Sequence, residues 1–478
     1  MKEFEAVIGL EVHVQLNTAS KIFCACSAEF GAEPNSHVCP VCMGFPGTLP
    51  VLNKAAADKA VQAGLALGCN IQKFSIFDRK SYFYPDLPKA YQITQMFYPI
   101  CLGGFLNIDT GNGERRINLT RIHMEEDAGK LIHGEGEAAG YSYVDFNRAS
   151  VPLIEIVSEP ELRSAEEAKL YLQKLRTVLR YVKVSDCNME EGSLRCDANV
   201  SVRPIGETKL GTKVEIKNMN SFRSVQRAIE YEIARQSEAL SEGGIVRQET
   251  RLWDNDRGIT LPMRSKENAH DYRYFPDPDL FPLKLTDEKI ERLRRTIPEL
   301  PDSRKGRFMG EYGLSAQDAD LLVSEKDYAD YYETALKTHK SPKGIANWIM
   351  SELLRVVNDK NLGIFETGIP PESIAKLVAL IESGAISGKQ GKEVFAEAVK
   401  TGKTPDAIVR EKGMSQLSDK GELYGIVESV IRENPNETER FKNGEEKLLG
   451  FFVGLVMKES RGKANPKMVN DILKETLK

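Results

Sequence analysis

VIGLEVHVQL, residues 7–16, alternates polar and apolar side chains over its second half. A period of two puts Glu11, His13 and Gln15 on one face of an extended chain and Val12, Val14 and Leu16 on the other. That is the pattern of a strand with one buried face. The same period recurs in RINLTRIHM (116–124), YSYVDFN (141–147), PLIEIV (152–157), ANVSVRP (198–204) and TKVEIKN (212–218). These runs predict a large antiparallel or mixed sheet. Two helical patterns interrupt it. SAEEAKLYLQKLRTVLRYV (164–182) opens on a capping box of Ser164 and Glu167, and SFRSVQRAIEYEIARQ (221–236) turns Val225, Ala228 and Tyr231 inward. After the proline-rich YFPDPDLFPLKL (274–285) the period becomes helical and stays so, with a second break near KTGKTPDAIV (400–409). The fold class expected is α+β: a large mixed or antiparallel-sheet domain over 1–293, then two all-α domains over 294–408 and 409–478.

Chemistry-bearing residues recur on the strands. In RIHMEEDAGK, Arg121, His123, Glu125 and Asp127 share one face, with Glu126 opposite. Glu155, Asp197 and Glu215 each stand among apolar neighbours. A half-solvated sheet alternates polar and apolar residues as a rule, so one outward acid carries no information. Acids and an imidazole returning on strand after strand can converge on one surface, and oxygen ligands of that kind suit hard cations bridging nucleotide phosphates. No GxxxxGK[ST] is present, nor a GxGxxG after a strand; GEGEAAG (134–140) has glycines, but its glutamates would repel phosphate. These absences argue against a P-loop or Rossmann site.

FCACSAEFGAEPNSHVCPVC (23–42) holds four of the eight cysteines. The opening MKEFEAVIGLEVHVQL has glutamates where a secretory signal needs an apolar run, and no membrane span is expected, so the compartment anticipated is the reducing cytoplasm. There Cys24 and Cys26, then Cys39 and Cys42, read as two ligand pairs closing a structural zinc site; four buried thiols would have no reason to fall in pairs. The net charge of −5 supplies no general attraction to nucleic acid, so any such contact must be local. Two local candidates exist. FDRKSYFYPDLPKAYQ (77–92) and HDYRYFPDPD (270–279) set Tyr82, Tyr84, Tyr272 and Tyr274 beside basic residues, as stacking on unpaired bases requires, though tyrosines in such loops also serve as packing. In the tail, Lys442, Lys447, Lys458, Arg461, Lys463 and Lys467 fall within 26 residues around the apolar LLGFFVGLVM.

Taken together, IGLEVHVQL, DRKSYFYPDLPKAYQ, RIHMEEDAGK, PLIEIVSEP, MEEGSLRCDANVSVRP, EIKNMNSF and DYRYFPDPDL closely resemble the B subunits of aspartyl/glutamyl-tRNA amidotransferases. The likeness runs in order through the chain, and the tail resembles the family's YqeY-type domain. It implies a cradle-like catalytic domain, a helical domain and a tRNA-binding tail. It also implies a ligase that binds Glu-tRNA(Gln) or Asp-tRNA(Asn), phosphorylates the side-chain carboxylate with ATP and magnesium, and lets ammonia displace phosphate. The expected partners are misacylated tRNA, an amidase A subunit that supplies ammonia, and a small C subunit, in a heterotrimer. By matching motif the resemblance makes Glu11, His13, Glu125 or Glu126, Glu155, Asp197 and Glu215 the metal and catalytic candidates, with Lys80 offsetting phosphate charge. Parity alone does not choose between Glu125 and Glu126. The rival reading is a non-catalytic tRNA-binding scaffold in which zinc and acids are structural.

Overall fold

The computed structural model describes residues 3–134, 140–263, 272–414, 420–460, 464 and 466–477. Most of GEGEAAG, together with His270, Asp271, Arg461 and Lys463, lies outside the described residues, and of Lys467 only its place in a helix is described. The fold is α+β, and the chain divides into two compact units, 1–300 and 301–478.

In the first unit the opening strand, Phe4–Gln15, sits at the centre of a ten-stranded sheet. On one side it pairs antiparallel with Pro152–Ser158, which pairs in turn with Glu114–Glu126. On the other it pairs antiparallel with Leu194–Pro204, followed by Val214–Met219; the next strand, Thr250–Asp254, joins in parallel, so the sheet is mixed. Alternation decides the two faces. Ile8, Leu10, Val12 and Val14 are buried in the main core cluster, while Glu11, His13 and Gln15 remain partly accessible on the reverse.

Helices Ala165–Tyr181 and Phe222–Ser241 supply much of the cover for the apolar face, through Tyr171, Leu172, Leu175, Val225, Ala228 and Ile229. Burying a side chain of that size contributes roughly 1.5–3 kcal/mol before conformational entropy is set against it. At the first helix Ser164 accepts the Glu167 N–H at 3.1 Å, but the Glu167 carboxylate reaches past the cap to accept the N–H of Arg163 at 2.7 Å and also pairs with Arg115. The box is therefore half closed, its second arm spent on tying the helix to the sheet. On the second helix the inward position is Glu232, fully buried against Arg235, Gln236 and Thr260, while Tyr231 is half-buried and meets Trp253 at the margin. Positions three and four after Ala228 both lie near its face, so Glu232 takes the buried centre and Tyr231 packs on the core from its margin.

The first unit continues past the proline-rich break because Leu293, Ile297 and Leu300 still pack on its core and Lys289 pairs with Asp58 at 2.6 Å. The second unit is helical throughout its described residues and holds two separate apolar clusters, one drawn from residues 308–409 and one from 423–477. Among the described residues no helix is long and apolar enough to cross a membrane.

Candidate active site

The register of the central strands assembles the polar face. His13 lies opposite Glu155 on one neighbouring strand and opposite Arg195 on the other, and Glu155 lies opposite His123 on the strand beyond. Glu125 follows His123 by two residues and so shares its face. His13 Nε2 stands 3.4 Å from Glu155 and 3.6 Å from Glu125; His123 Nε2 stands 3.4 Å from Glu155 and 3.8 Å from Glu125. Burial alone would lower the basicity of His123, but Glu155 and Glu125 outweigh it and raise the pKa to about 9. Burial opposes ionisation of Glu155 as well, yet the imidazoles of His123 and His13 hold its carboxyl well below the usual range.

Two residues back along the opening strand, Glu11 faces Asp197. Glu215 reaches the same place because the pairing of the next two strands shifts between Cys196 and Ala198. Asn218, with φ of 67°, lies in the left-handed region at this irregularity, a conformation asparagine tolerates better than most residues. Asn199 donates to Glu11 at 2.9 Å, Thr250 donates to Glu215 at 2.7 Å, and Lys217 pairs with both Asp197 and Glu215. The sheet thus carries two donor groups on one face, His13–Glu125–Glu155 and Glu11–Asp197–Glu215, and within each the ligand atoms lie no more than 4.8 Å apart. An all-carboxylate trio and a trio of two carboxylates with one imidazole both fit a hard divalent cation. The Lys217 ammonium already stands among the acids of the former.

Glu126 belongs elsewhere, and its assignment as a magnesium ligand is corrected. It points to the opposite side of its strand, where it is buried in an ion pair with Lys89, accepts the N–H of Ile93 at 2.9 Å and accepts the Ser150 hydroxyl at 2.5 Å. These partners consume its oxygens. Glu125 is the member of the pair that joins His13.

Lys80, on the strand Asp78–Ser81, is close enough to Glu125 to feel its charge; burial would lower its pKa, and the carboxylate raises it. Its ammonium lies 4.9 Å from the centre of the Tyr272 ring and 5.7 Å from that of Tyr82. Tyr82, Tyr272 and Tyr274 meet edge to face, at 5.9 and 6.0 Å, and burial pushes the Tyr82 hydroxyl up to about 12. Three of the four stacking candidates therefore gather as a cage about Lys80 rather than as an open platform, while Tyr84 is exposed apart from it.

The four clustered cysteines bring their sulfurs within 4.8 Å of one another, as a tetrahedral thiolate shell with metal–sulfur bonds of about 2.3 Å requires. Cys42 accepts the N–H of Cys39 at 3.1 Å and lies 3.6 Å from the ammonium of Lys21, a fully buried side chain. A hydrogen bond from Cys24, with help from the Cys39 N–H and Lys21, lowers the Cys42 thiol to about 4 and pushes Cys24 up. These contacts favour the thiolate form of Cys42. The other cysteines, Cys69, Cys101, Cys187 and Cys196, are buried and take no part in the quartet. Between the two pairs, residues 28–32 and Pro34 line a cavity of about 580 Å³ together with Arg195, Asp197 and Asn218.

Of the tail cations, Lys442, Lys447 and Lys458 are exposed on or beside short helices. Lys217 and Arg195 are participants that the sequence motifs do not single out, whereas parity already sets Asp127 on the face of His123 and Glu125 without giving it a role. For Lys217 and Arg195 the signal was present: each stands two positions from a singled-out acid, Glu215 and Asp197, and so shares its face.

The class of the domain built on this mixed sheet follows from sequence comparison. Residues 6–291 match the model of the GatB/GatE catalytic domain, and residues 330–477 match that of the GatB domain. Proteins named as the B subunit of aspartyl/glutamyl-tRNA(Asn/Gln) amidotransferase are similar from end to end. That of Carboxydothermus hydrogenoformans is 57% identical over 100% of this chain and 99% of its own length, and that of Persephonella marina is 57% identical over 100% of both. The Brevibacillus brevis protein is 53% identical over 100% of this chain and 99% of its own. The chain belongs to the family of tRNA-dependent amidotransferase B subunits.

Proposed function

We propose that the polar face of the central sheet phosphorylates the side-chain carboxylate of Glu-tRNA(Gln) or Asp-tRNA(Asn) with ATP and then receives ammonia, giving the amide. The observation that carries this reading is the convergence of His13, Glu125, Glu155, Glu11, Asp197 and Glu215 on one face. A carboxylate resists ammonia, and converting it to an acyl phosphate supplies a leaving group. Bringing ATP to a carboxylate also means bringing anions together. Magnesium held by the two donor sets would neutralise that charge and polarise the transferred phosphoryl group. The chain's own residues do the rest. Lys80 and Lys217 supply fixed positive charge at the edges of the two sets, and the buried carboxylate of Glu155 remains ionised as a ligand because His13 and His123 oppose its protonation. The quartet would hold zinc as a structural clamp, since four thiolates leave no open position for chemistry.

Ammonia must come from a partner, because releasing it from glutamine takes an activated nucleophile, and no such signature is present apart from the cysteine quartet. We assign that task to an amidase A subunit, joined with a small C subunit in a cytoplasmic heterotrimer. The test replaces glutamine with an ammonium salt. Purified chain, misacylated tRNA, ATP and magnesium should yield amide in an ATP-dependent reaction; tRNA binding without amide would favour the scaffold reading instead.

The exposed cations of the tail we assign to the tRNA phosphates. Ile408 and Val409 pack in the middle helical cluster, so a cut that spares it falls after residue 414. Deleting 415–478 should weaken tRNA binding about tenfold or more and flatten its salt dependence, since each lost phosphate contact removes roughly 0.7–0.9 from the log–log slope. Michaelis constants for tRNA measured against ionic strength decide it. A loss confined to the turnover number, with affinity and slope intact, would remove the tail from the tRNA interface.

A further inference from the structure

Asp127 is buried, yet it is neither in the donor sets nor paired within its own strand. It follows Glu125 by two residues and closes the polar face at the end of the strand Glu114–Glu126. One of its oxygens, Oδ2, gathers three side chains: Gln15 donates at 2.8 Å, Arg195 donates at 2.8 Å, and Arg148 approaches to 3.7 Å. Arg148 is pinned further by donating to the carbonyls of Ala128 at 3.0 Å and Gly129 at 2.6 Å. Among the described residues, Asp127 is the only hydrogen-bond acceptor Arg195 has. Arg195 lines the 580 Å³ cavity, as does Arg148. Arg195 stands directly across from His13 and two residues before Asp197, so it lies on the face of both donor sets.

A guanidinium tied to a carboxylate through one nitrogen, on the lining of a cavity beside the two donor sets, has N–H groups left with which to receive an anion bidentately. We propose that Asp127 is a positioning residue which fixes Arg195, backed by Arg148, as a clamp for the phosphates of the nucleoside triphosphate. This rests on the ATP-dependent reading above. The triphosphate brings about four negative charges to a face that already carries the five carboxylates of the two donor sets, and Arg195 supplies permanent positive charge at the place where the cavity meets Asp197. The amide of Gln15 occupies another approach to the carboxylate, so Asp127 reaches toward Arg195 in one orientation only. A lysine at 195 would keep the charge and lose the two-pronged geometry.

The experiment uses the assembled amidotransferase complex carrying Arg195→Ala, Arg195→Lys, Asp127→Asn or the Asp127→Asn/Arg195→Ala pair. Binding of a non-hydrolysable ATP analogue with magnesium is measured by equilibrium dialysis, and steady-state kinetics give separate Michaelis constants for ATP and tRNA. Arg195→Ala should raise the analogue Kd and the ATP KM together by about tenfold to a hundredfold, with the tRNA KM unchanged. Arg195→Lys should recover only part. Asp127→Asn should show a smaller rise that vanishes in the Arg195→Ala background, because Asp127 acts through Arg195. A merely structural role for Asp127 predicts a lower melting temperature with ATP KM unmoved, which would overturn the proposal; so would additive effects, or a change in tRNA KM alone, which would assign the clamp to tRNA. If the wild-type complex binds no analogue or forms amide without ATP, the functional reading fails and takes the clamp with it. If the wild type binds and Arg195→Ala binds equally well, the clamp alone fails.

Discussion

His13→Ala should lower ATP-dependent amide formation by about two to three orders of magnitude while leaving tRNA affinity within about twofold, a size typical of removing one group that acts on transition-state charge. His13 contributes a ligand atom between two carboxylates, at 3.4 and 3.6 Å, and stands on the central strand of a rigid sheet whose other face is the main core. Its ring is partly accessible on the face away from that core, so its loss should not unfold the domain. What changes is the cluster: Glu125 and Glu155 face each other with one ligand atom fewer. Glu155→Gln should act in the same direction and also raise the magnesium concentration needed for half-maximal rate, since an amide oxygen is a weaker ligand for a hard cation. The assay uses ammonium chloride in place of glutamine, so that a defect in ammonia delivery cannot be mistaken for a defect in activation. The combined variant should be little worse than either single one, because residues that act as one unit fail together. Wild-type rates in His13→Ala would remove this cluster from the site.

Some of this face is legible in the sequence before any coordinates. Glu11, His13 and Asp197 sit in runs that alternate polar and apolar residues, and Glu155 in a short apolar strand run, so a strand's parity assigns each to a face. The paired cysteines are equally plain, because ligand spacing is local. Glu125 and Glu126 are not separable: neighbouring residues occupy opposite faces, and which face is covered depends on Lys89 and Ser150, distant in the chain. The register shift before Glu215 is invisible for a similar reason, since an irregularity at Asn218 shows only when the partner strand is known. Asp127 looks like one more acid at a strand end, and its meaning comes from Gln15, Arg148 and Arg195, brought to it from other parts of the chain. Composition finds the tyrosines but not their geometry. Their rings enclose Lys80, and only the spatial approach of residues 82 and 272 produces that cage.

Cys39→Ser with Cys42→Ser should leave the chain free of zinc and melt the first unit at a markedly lower temperature. Structural zinc binds peptides of this kind with apparent free energies of roughly 10–16 kcal/mol, and binding energy that is absent from the unfolded chain is folding energy. Were only about 5 kcal/mol of it coupled to the domain, the melting temperature would fall by roughly 10–20 °C. Apart from the quartet, the segment between the cysteine pairs is held mainly by hydrogen bonds to residues 144–147, among them the N–H of His37 donating to Asn147 and the N–H of Phe146 donating to Asn35, both at 2.8 Å. Asn35 donates to Val144 at 3.0 Å, Asn147 donates to the carbonyl of Glu33 at 2.7 Å, and the Asn35 N–H donates to Asp145 at 3.0 Å, all at exposed positions. Hydrogen bonds of this sort contribute about 0.5–1.5 kcal/mol each. Lys21 adds a further cost, because its buried ammonium lies 3.6 Å from the Cys42 sulfur, and replacing that sulfur by a neutral hydroxyl takes the anion away from a charge with no access to water. Cys24→Ser with Cys26→Ser is the informative control: it should lose the metal as completely but leave the Lys21–Cys42 contact, and so should be the less destabilised pair. The kinetic consequence follows from the cavity. Residues 28–32 and Pro34 line the space beside Arg195 and Asp197, so loosening them should raise the Michaelis constant for ATP more than it lowers the turnover number. Metal content by mass spectrometry, calorimetric melting and the two kinetic constants together decide the matter. A metal-free double variant with wild-type melting would show that the quartet is no structural clamp, and a fall in turnover with ATP affinity intact would move the role of zinc from the cavity wall to the chemistry itself.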